Sequence, residues 1–265
     1  MEVIEILGFG GALAIGVILG LVGGGGSILT VPILVYLLNT DPVLATAYSL
    51  FIVGATAAVG AIRNGLNRMI DYRIGTVFAI PAFISVYLAR KFVVPSIPES
   101  VLEFGDFVLT KNIAIMIFFA ILMLLASFSM IRGRREDTSG NQKIEYNYPI
   151  IILEGLFVGF ITGIVGAGGG FLIIPALVLF AKLPMKKAVA TSLLIIAVKS
   201  LIGFIGDMQN LEVDWIFLSV FTTLSIAGIF IGIYLNKFIN GNKLKKGFGY
   251  FVLLMGVYII IKELL

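Results

Sequence analysis

The residues of this chain that could do chemistry are few, and they gather around two glycine runs. "GLVGGGGSILTVP" spans Gly20 to Pro32 and "GIVGAGGGFLIIP" spans Gly163 to Pro175. Glycine is the poorest helix former after proline. Four small residues in sequence, followed six residues later by proline, therefore break a helix. The segments that follow, Ile28–Leu38 and Phe171–Ala181, are long enough for only about 17 Å of helix. A half-helix that starts at such a break aims unbonded N–H groups and the positive end of its dipole at whatever lies beyond its tip. That is anion-binding chemistry. Gly23, Gly24, Gly25, Gly26 and Ser27 form the first candidate tip, and Gly166, Ala167, Gly168, Gly169 and Gly170 the second. Downstream, "AYSLFIVGAT" and "ATSLLIIAVKS" add Ser49, Thr56, Ser192 and Lys199. Lys199 is the only lysine or arginine deep within an apolar run. A charge there is expensive and marks function by default. Snorkelling to an interface is hard from the middle of Val189–Ile205, so Lys199 is expected to contact or gate an anion.

Other chemistries lack their residues. There is no cysteine and no histidine, which removes thiolate nucleophiles, imidazole relays and the usual zinc sites. No Gly-Lys pair and no G-x-G-x-x-G spacing occurs, so neither phosphate-binding loop is present. Glu154 lies about one turn inside its apolar run and is expected to meet a loop lysine. Asp71 and Asp214 immediately precede apolar runs and read as N-terminal caps. No cofactor, metal site or catalytic constellation is expected, and an enzyme is the least supported class.

The elements that must position these residues belong in a bilayer. The chain is 59% hydrophobic and 13% charged, with a mean hydropathy of +1.09. Soluble domains run at about 45–50% and about 25%. Val3–Val22, Leu44–Ile62, Ile74–Val93, Ile113–Ile131, Val189–Ile205, Trp215–Leu235 and Phe248–Ile261 approach the ~20 residues of a spanning helix. Glu2 and Glu5 stand where a signal peptide would carry basic residues, so the first run is expected to be retained. The net charge of +4 comes from short loops between spans, which argues for membrane topology and against nucleic acid.

Those elements come in two sets. Slid by 143 residues, the chain pairs Gly16 with Gly159, Gly20 with Gly163, Pro32 with Pro175, Ser49 with Ser192, Gly60 with Gly203 and "IDY" at 70–72 with "VDW" at 213–215. Coincident Gly, Pro and Ser point to a duplicated unit. The expected division is an N-terminal repeat over 1–131, a cytoplasmic linker over 132–148 and a C-terminal repeat over 149–265. Each repeat has about five hydrophobic elements, one of them a glycine-led broken or re-entrant helix. Lysine and arginine concentrate in the 63–73, 132–148, 182–187 and 237–246 loops, which the positive-inside rule places in the cytoplasm. The loops 39–43, 96–107 and 206–214 carry none and belong outside. Equivalent loops then lie on opposite faces, so the repeats are inverted; Arg90 and Lys91 are the main exceptions. The fold expected is an all-α polytopic membrane protein of eight to ten membrane elements.

The twin "GGGGSILTVP" and "GAGGGFLIIP" elements, each followed by a small-residue helix with a serine, resemble the sulfite exporter TauE/SafE family of permeases, over essentially the whole chain. The resemblance implies secondary transport of small anions such as sulfite, sulfonates, sulfoacetate or thiosulfate across the cytoplasmic membrane. It implies no ATP and no bound cofactor, and it makes Gly23–Ser27 and Ala167–Gly170 the binding tips. Alternating access by one repeat's helices against the other's is the expected mechanism. A channel for small anions or solutes is the alternative, and the sequence leaves a homodimer open.

Overall fold

The structure is a computed structural model. It describes residues 3–24, 26–104, 107–132, 147–166, 168–179, 181–208, 211–236, 238 and 241–264. Gly25, Ala167 and most of the linker lie outside the described residues.

The chain is almost wholly helical. In order come α1 (Val3–Val22), α2 (Ser27–Pro32) running on through a π-helical turn (Ile33–Leu37), and α3 (Pro42–Leu66). Next is α4 (Tyr72–Leu88), which continues through a second π turn (Ala89–Val93) into the short α5 (Val94–Ser96). After α6 (Lys111–Ile131) come α7 (Tyr148–Val165), α8 (Gly170–Leu179), α9 (Met185–Asp207), α10 (Trp215–Leu235) and α11 (Gly241–Leu264). One feature was not expected. The segment after Ser96, read as a plain loop, holds a two-stranded antiparallel hairpin, β1 (Ser100–Phe104) and β2 (Phe107–Thr110). Its strands are too short, and their apolar residues too nearly consecutive, to register against the long helical runs around them.

Among the described residues, six helices are long and apolar enough to cross a bilayer, and Leu7–Val22 and Ser27–Leu37 are shorter apolar helices. Leu125, Leu153, Phe157, Ile216 and Leu254 are each more than half exposed. So many large apolar side chains turned outward suit hydrocarbon and not water. The chain is a multi-pass membrane protein.

Local chemistry explains the helix ends. Asp41 caps α3 through Val43 and Leu44 N–H, with Pro42 preset at the first helical position. Asp71 and Asp214 accept from Ile74 and Phe217 N–H at 3.0 Å, as expected of caps. Pro32 stands just before the first π turn, whose Leu38 N–H reaches Ile33 O at 3.1 Å.

Packing follows the small residues. α3 and α9 pack against each other and are the most buried of the six candidate spans among the described residues; α1 lies on α10, α4 on α7, and α6 on α11. Gly16 and Gly20 let α1 approach the α10 backbone at Ser225 and Ile229, and Gly159 and Gly163 do the same for α7 against Ala82 and Val86 of α4. Such close approach is how membrane helices associate without a hydrophobic drive.

These contacts recur at the spacing seen in the sequence. Thr40 N–H donates to Leu34 O at 2.9 Å and Leu183 N–H to Leu177 O at 3.0 Å, each closing a turn whose Asn39 or Lys182 has positive φ. The Asp71 N–H reaches Thr191 Oγ1 at 3.0 Å, and the Asp214 N–H reaches Tyr48 Oη at 2.7 Å. In every case, adding 143 to one member gives its counterpart.

Candidate functional site

Both glycine runs end a helix in the same way. Gly23 N–H donates to Leu19 O at 2.8 Å, and Gly166 N–H donates to Thr162 O at 2.9 Å. Gly23 and Gly166 then take φ of +79° and +71°, the left-handed turn that glycine adopts without the penalty a Cβ would bring. In the second run Gly168 and Gly169 are left-handed as well, and α8 begins at Gly170.

The runs meet. A Cβ placed on Gly24 would collide with the backbone of Gly170, and one on Gly170 would collide with the backbone of Gly24. The two chains pass with nothing but peptide between them. Each run is also cradled by the opposite half. A Cβ on Gly23 would strike Val189 of α9, and one on Gly166 would strike Thr46 of α3. A Cβ on Gly168 would lie 2.6 Å from Val53 and 3.0 Å from the Ser27 Cβ.

The serines fall between these contacts on their helices. Ser192 is one turn beyond Val189, donates to Val189 O at 2.8 Å and lies 3.5 Å from Gly23 O. Ser49 sits between Thr46 and Val53 on the α3 face that meets the second run, and its buried hydroxyl has no hydrogen-bond partner among the described residues. Ser27 donates to Gly24 O at 2.7 Å. Gly26 faces the α1 backbone at Ile15 and Leu19 instead of the opposite run. Thr56 is placed elsewhere: its hydroxyl donates to Ser225 of α10 at 3.0 Å, which ties α3 to α10.

Lys199 is fully buried, donates to Thr162 Oγ1 at 2.7 Å, and its Nζ would stand 3.1 Å from a Cβ on Gly169. Thr162 passes its own proton to Val158 O at 2.7 Å, so it accepts from the ammonium with its lone pairs. No carboxylate pairs with Lys199 among the described residues.

A second buried cation was missed. Arg90 lies on the π turn after α4, is also fully buried, and presents Nη2 2.5 Å from the position of a Cβ on Gly166. Its Nη1 donates to Thr46 Oγ1 at 3.0 Å and lies 3.3 Å from Asp207 Oδ2, while Nε and Nη2 have no partner among the described residues. The two cations thus bracket the second run, Arg90 at Gly166 and Lys199 at Gly169. The signal was present: Arg90 was an exception to the positive-inside count, because its charge serves an interior and not a loop. Asp207, within the 206–214 segment that the charge count places outside, is the last residue of α9 and only 4% exposed. Glu154 makes no ion pair with a loop lysine among the described residues, and its Oε1 is buried without a partner.

The buried set carries one positive charge in excess, set against bared peptide and an unbonded hydroxyl. Uncompensated charge in a low-dielectric interior is costly, and a small anion between the cations would relieve it. Comparison with known proteins bears on what the molecule is. The family model described as "Sulfite exporter TauE/SafE" matches residues 8–259. A "Probable membrane transporter protein" of Xylella fastidiosa is 29% identical over 98% of this chain and 95% of its own length. "Probable membrane transporter protein YunE" of Bacillus subtilis is 28% identical over 77% of this chain and 78% of its own. A relative from Methanocaldococcus jannaschii is 27% identical over 98% and 96%. Comparison with solved structures gave no match. The whole-length family match makes the chain a membrane transporter and not an enzyme: it belongs to the sulfite exporter TauE/SafE family.

Proposed function

We propose that the chain is a secondary transporter of small anions, with sulfite, organosulfonates and related sulfur oxyanions as its substrate class, working in the cytoplasmic membrane. The observation that carries this reading is the pair of buried cations, Arg90 and Lys199, at the two ends of the glycine run Gly166–Gly170 where that run touches Gly24. An anion there would meet two charges, the free Ser49 hydroxyl and the N-terminal amides of α8. This is the way broken helices build substrate sites at the centre of many transporters. The family's own description, sulfite exporter, agrees with the chemistry.

The reading includes two inverted repeats, residues 1–131 and 149–265, joined by a cytoplasmic linker over 132–148. The reciprocal contacts at the 143-residue spacing support it, as does the mutual cradling of the glycine runs by α3 and α9. Alternating access would move the helices of one repeat against those of the other, with the glycine runs as gates.

The test is thermal stabilisation of the purified protein by sulfite, sulfate, thiosulfate, sulfoacetate, taurine and carboxylates, followed by counterflow in proteoliposomes. Ligands that bind the native state raise its stability, so the sulfur oxyanions are expected to raise Tm and the carboxylates are not. Preloaded vesicles are expected to accelerate uptake; a pore would show no such trans-stimulation. Lys199→Met is expected to lower affinity for the active anion at least about tenfold, the cost of one charge-assisted hydrogen bond, while keeping a monodisperse fold. Unchanged binding in that variant would remove Lys199 from the site.

A further inference from the structure

The Arg90–Asp207 pair is an unusual buried ion pair. A buried guanidinium that serves architecture uses its donors, because unmet ones are costly. Arg90 instead makes one side-chain hydrogen bond, from Nη1 to Thr46 Oγ1 at 3.0 Å, and faces Asp207 Oδ2 at 3.3 Å as an ion pair in which that oxygen accepts no hydrogen bond among the described residues. Nε and Nη2 stay unbonded, and Nη2 lies against Gly166 at the far end of the glycine run from Lys199. Asp207 ends its helix beside Met208, which is nearly half exposed. The carboxylate is therefore enclosed, at the end of a helix whose next residue is exposed.

Charge decides what this arrangement can hold. With Asp207 ionised, Lys199 and the Arg90 pair together neutralise one anionic charge. A divalent anion would leave a net negative charge in the interior unless Asp207 took up a proton. On the reading given above, that the glycine runs bind a small anion, we propose that Asp207 is a proton-binding site that holds Arg90 in reserve. Protonation of its carboxylate frees the guanidinium to join Lys199 on a divalent oxyanion, so that substrate and proton cross together. The proton comes from water at the end of α9, resides on a carboxylate oxygen while the anion is bound, and leaves when Arg90 re-pairs. The fork of Nε and Nη2 suits a two-oxygen face of a sulfur oxyanion.

The other charged and titratable groups on the surrounding elements have distinct places. Lys199 is on the same helix and Thr162 holds it. Tyr87 of α4 lies beside Gly206, and its Oη accepts from Lys91 at 3.2 Å. Tyr48 of α3 accepts from the Asp214 N–H, and Asp214 caps α10. Among these described groups Asp207 is the carboxylate that touches Arg90.

The experiment uses the full chain in proteoliposomes with the membrane potential clamped, thiosulfate and sulfoacetate as divalent probes, and methanesulfonate as a monovalent one. An acid-outside gradient of one pH unit is expected to drive about tenfold accumulation of the divalent probes, the factor one protonation supplies per unit, and none of methanesulfonate. Asp207→Asn is expected to lose this accumulation and to exchange divalent probes at a rate that no longer depends on pH. The double variant Arg90→Met with Asp207→Asn keeps the buried charge unchanged and controls for folding. It is expected to elute as a monodisperse species and to lose affinity for the divalent probes at least tenfold more than for methanesulfonate. Wild-type counterflow that ignores the gradient, or gradient-driven accumulation that survives in Asp207→Asn, overturns the coupling proposal alone. Absence of counterflow for every anion overturns the anion-transport reading and this proposal with it.

Discussion

At the scale of single residues, the molecule depends on atoms that are missing from side chains. Gly24 and Gly170 pass with their backbones in contact, and no rotamer change can make room for a methyl group between two peptides. Gly24→Ala is expected to destabilise the protein by about 1–3 kcal/mol or more, as overpacked cores do, and to abolish transport. Gly10 on α1 meets nothing within 4 Å of an added Cβ. Gly10→Ala is therefore expected to be neutral or to stabilise by up to about 1 kcal/mol through helix propensity. Thermal unfolding of both variants in detergent checks the contrast; equal losses would show that the crossing does not discriminate. The residue scale is also where sequence reading fared unevenly. Lys199 was legible because a lone charge in an apolar run has no ordinary explanation. Arg90 was not, because it lies near a span end where arginines are commonplace, and only the π turn and the α7 glycines bring it inward. Thr56 shares the symmetry position of Lys199, yet its hydroxyl is spent on Ser225. Sequence equivalence gives equal backbone places and says nothing of which neighbour a hydroxyl finds.

At the scale of elements, the spans and their ends were largely readable. Apolar length fixed the helices, and the aspartates before them fixed their starts. Asp71→Ala and Asp214→Ala are each expected to cost about 0.5–2 kcal/mol, the usual loss for an N-cap, and to cost similar amounts because the two caps have matching geometry at 3.0 Å. Chemical or thermal unfolding of the pair tests this; a difference of several kcal/mol would deny that the two positions are equivalent. The β1–β2 hairpin and the two π turns escaped notice. A strand of four or five residues leaves too short an alternation to read. A π turn changes one hydrogen bond per residue without changing the apolar pattern that announces a helix.

At the scale of the whole molecule, the contacts repeat under one offset, and the proposed inversion makes a claim about sides. The natural chain has no cysteine, so single cysteines can report it cleanly. Asn39→Cys is expected to react with an impermeant thiol reagent in intact cells, and Lys186→Cys only after the membrane is opened. Labelling of both from one side would exclude inverted repeats while leaving the contact pattern standing. The 143-residue offset at which the contacts recur was legible from glycine, proline and serine coincidences. The pairing of α1 with α10 and of α4 with α7 was not, since it is set by which small-residue faces meet in three dimensions.

The frame is doubled but its charges are not. The counterparts of Lys199, Arg90 and Asp207 under the 143-residue spacing are Thr56, Ile233 and Asn64, all uncharged. On the proposed mechanism a hinge of two like halves would swing either way with similar ease, whereas the charges gather at the second glycine run only, Arg90 reaching it from the first half and Lys199 from the second. Loading from one side of the membrane therefore traverses a different electrostatic path from loading on the other. Half-saturation measured from the two faces is expected to differ.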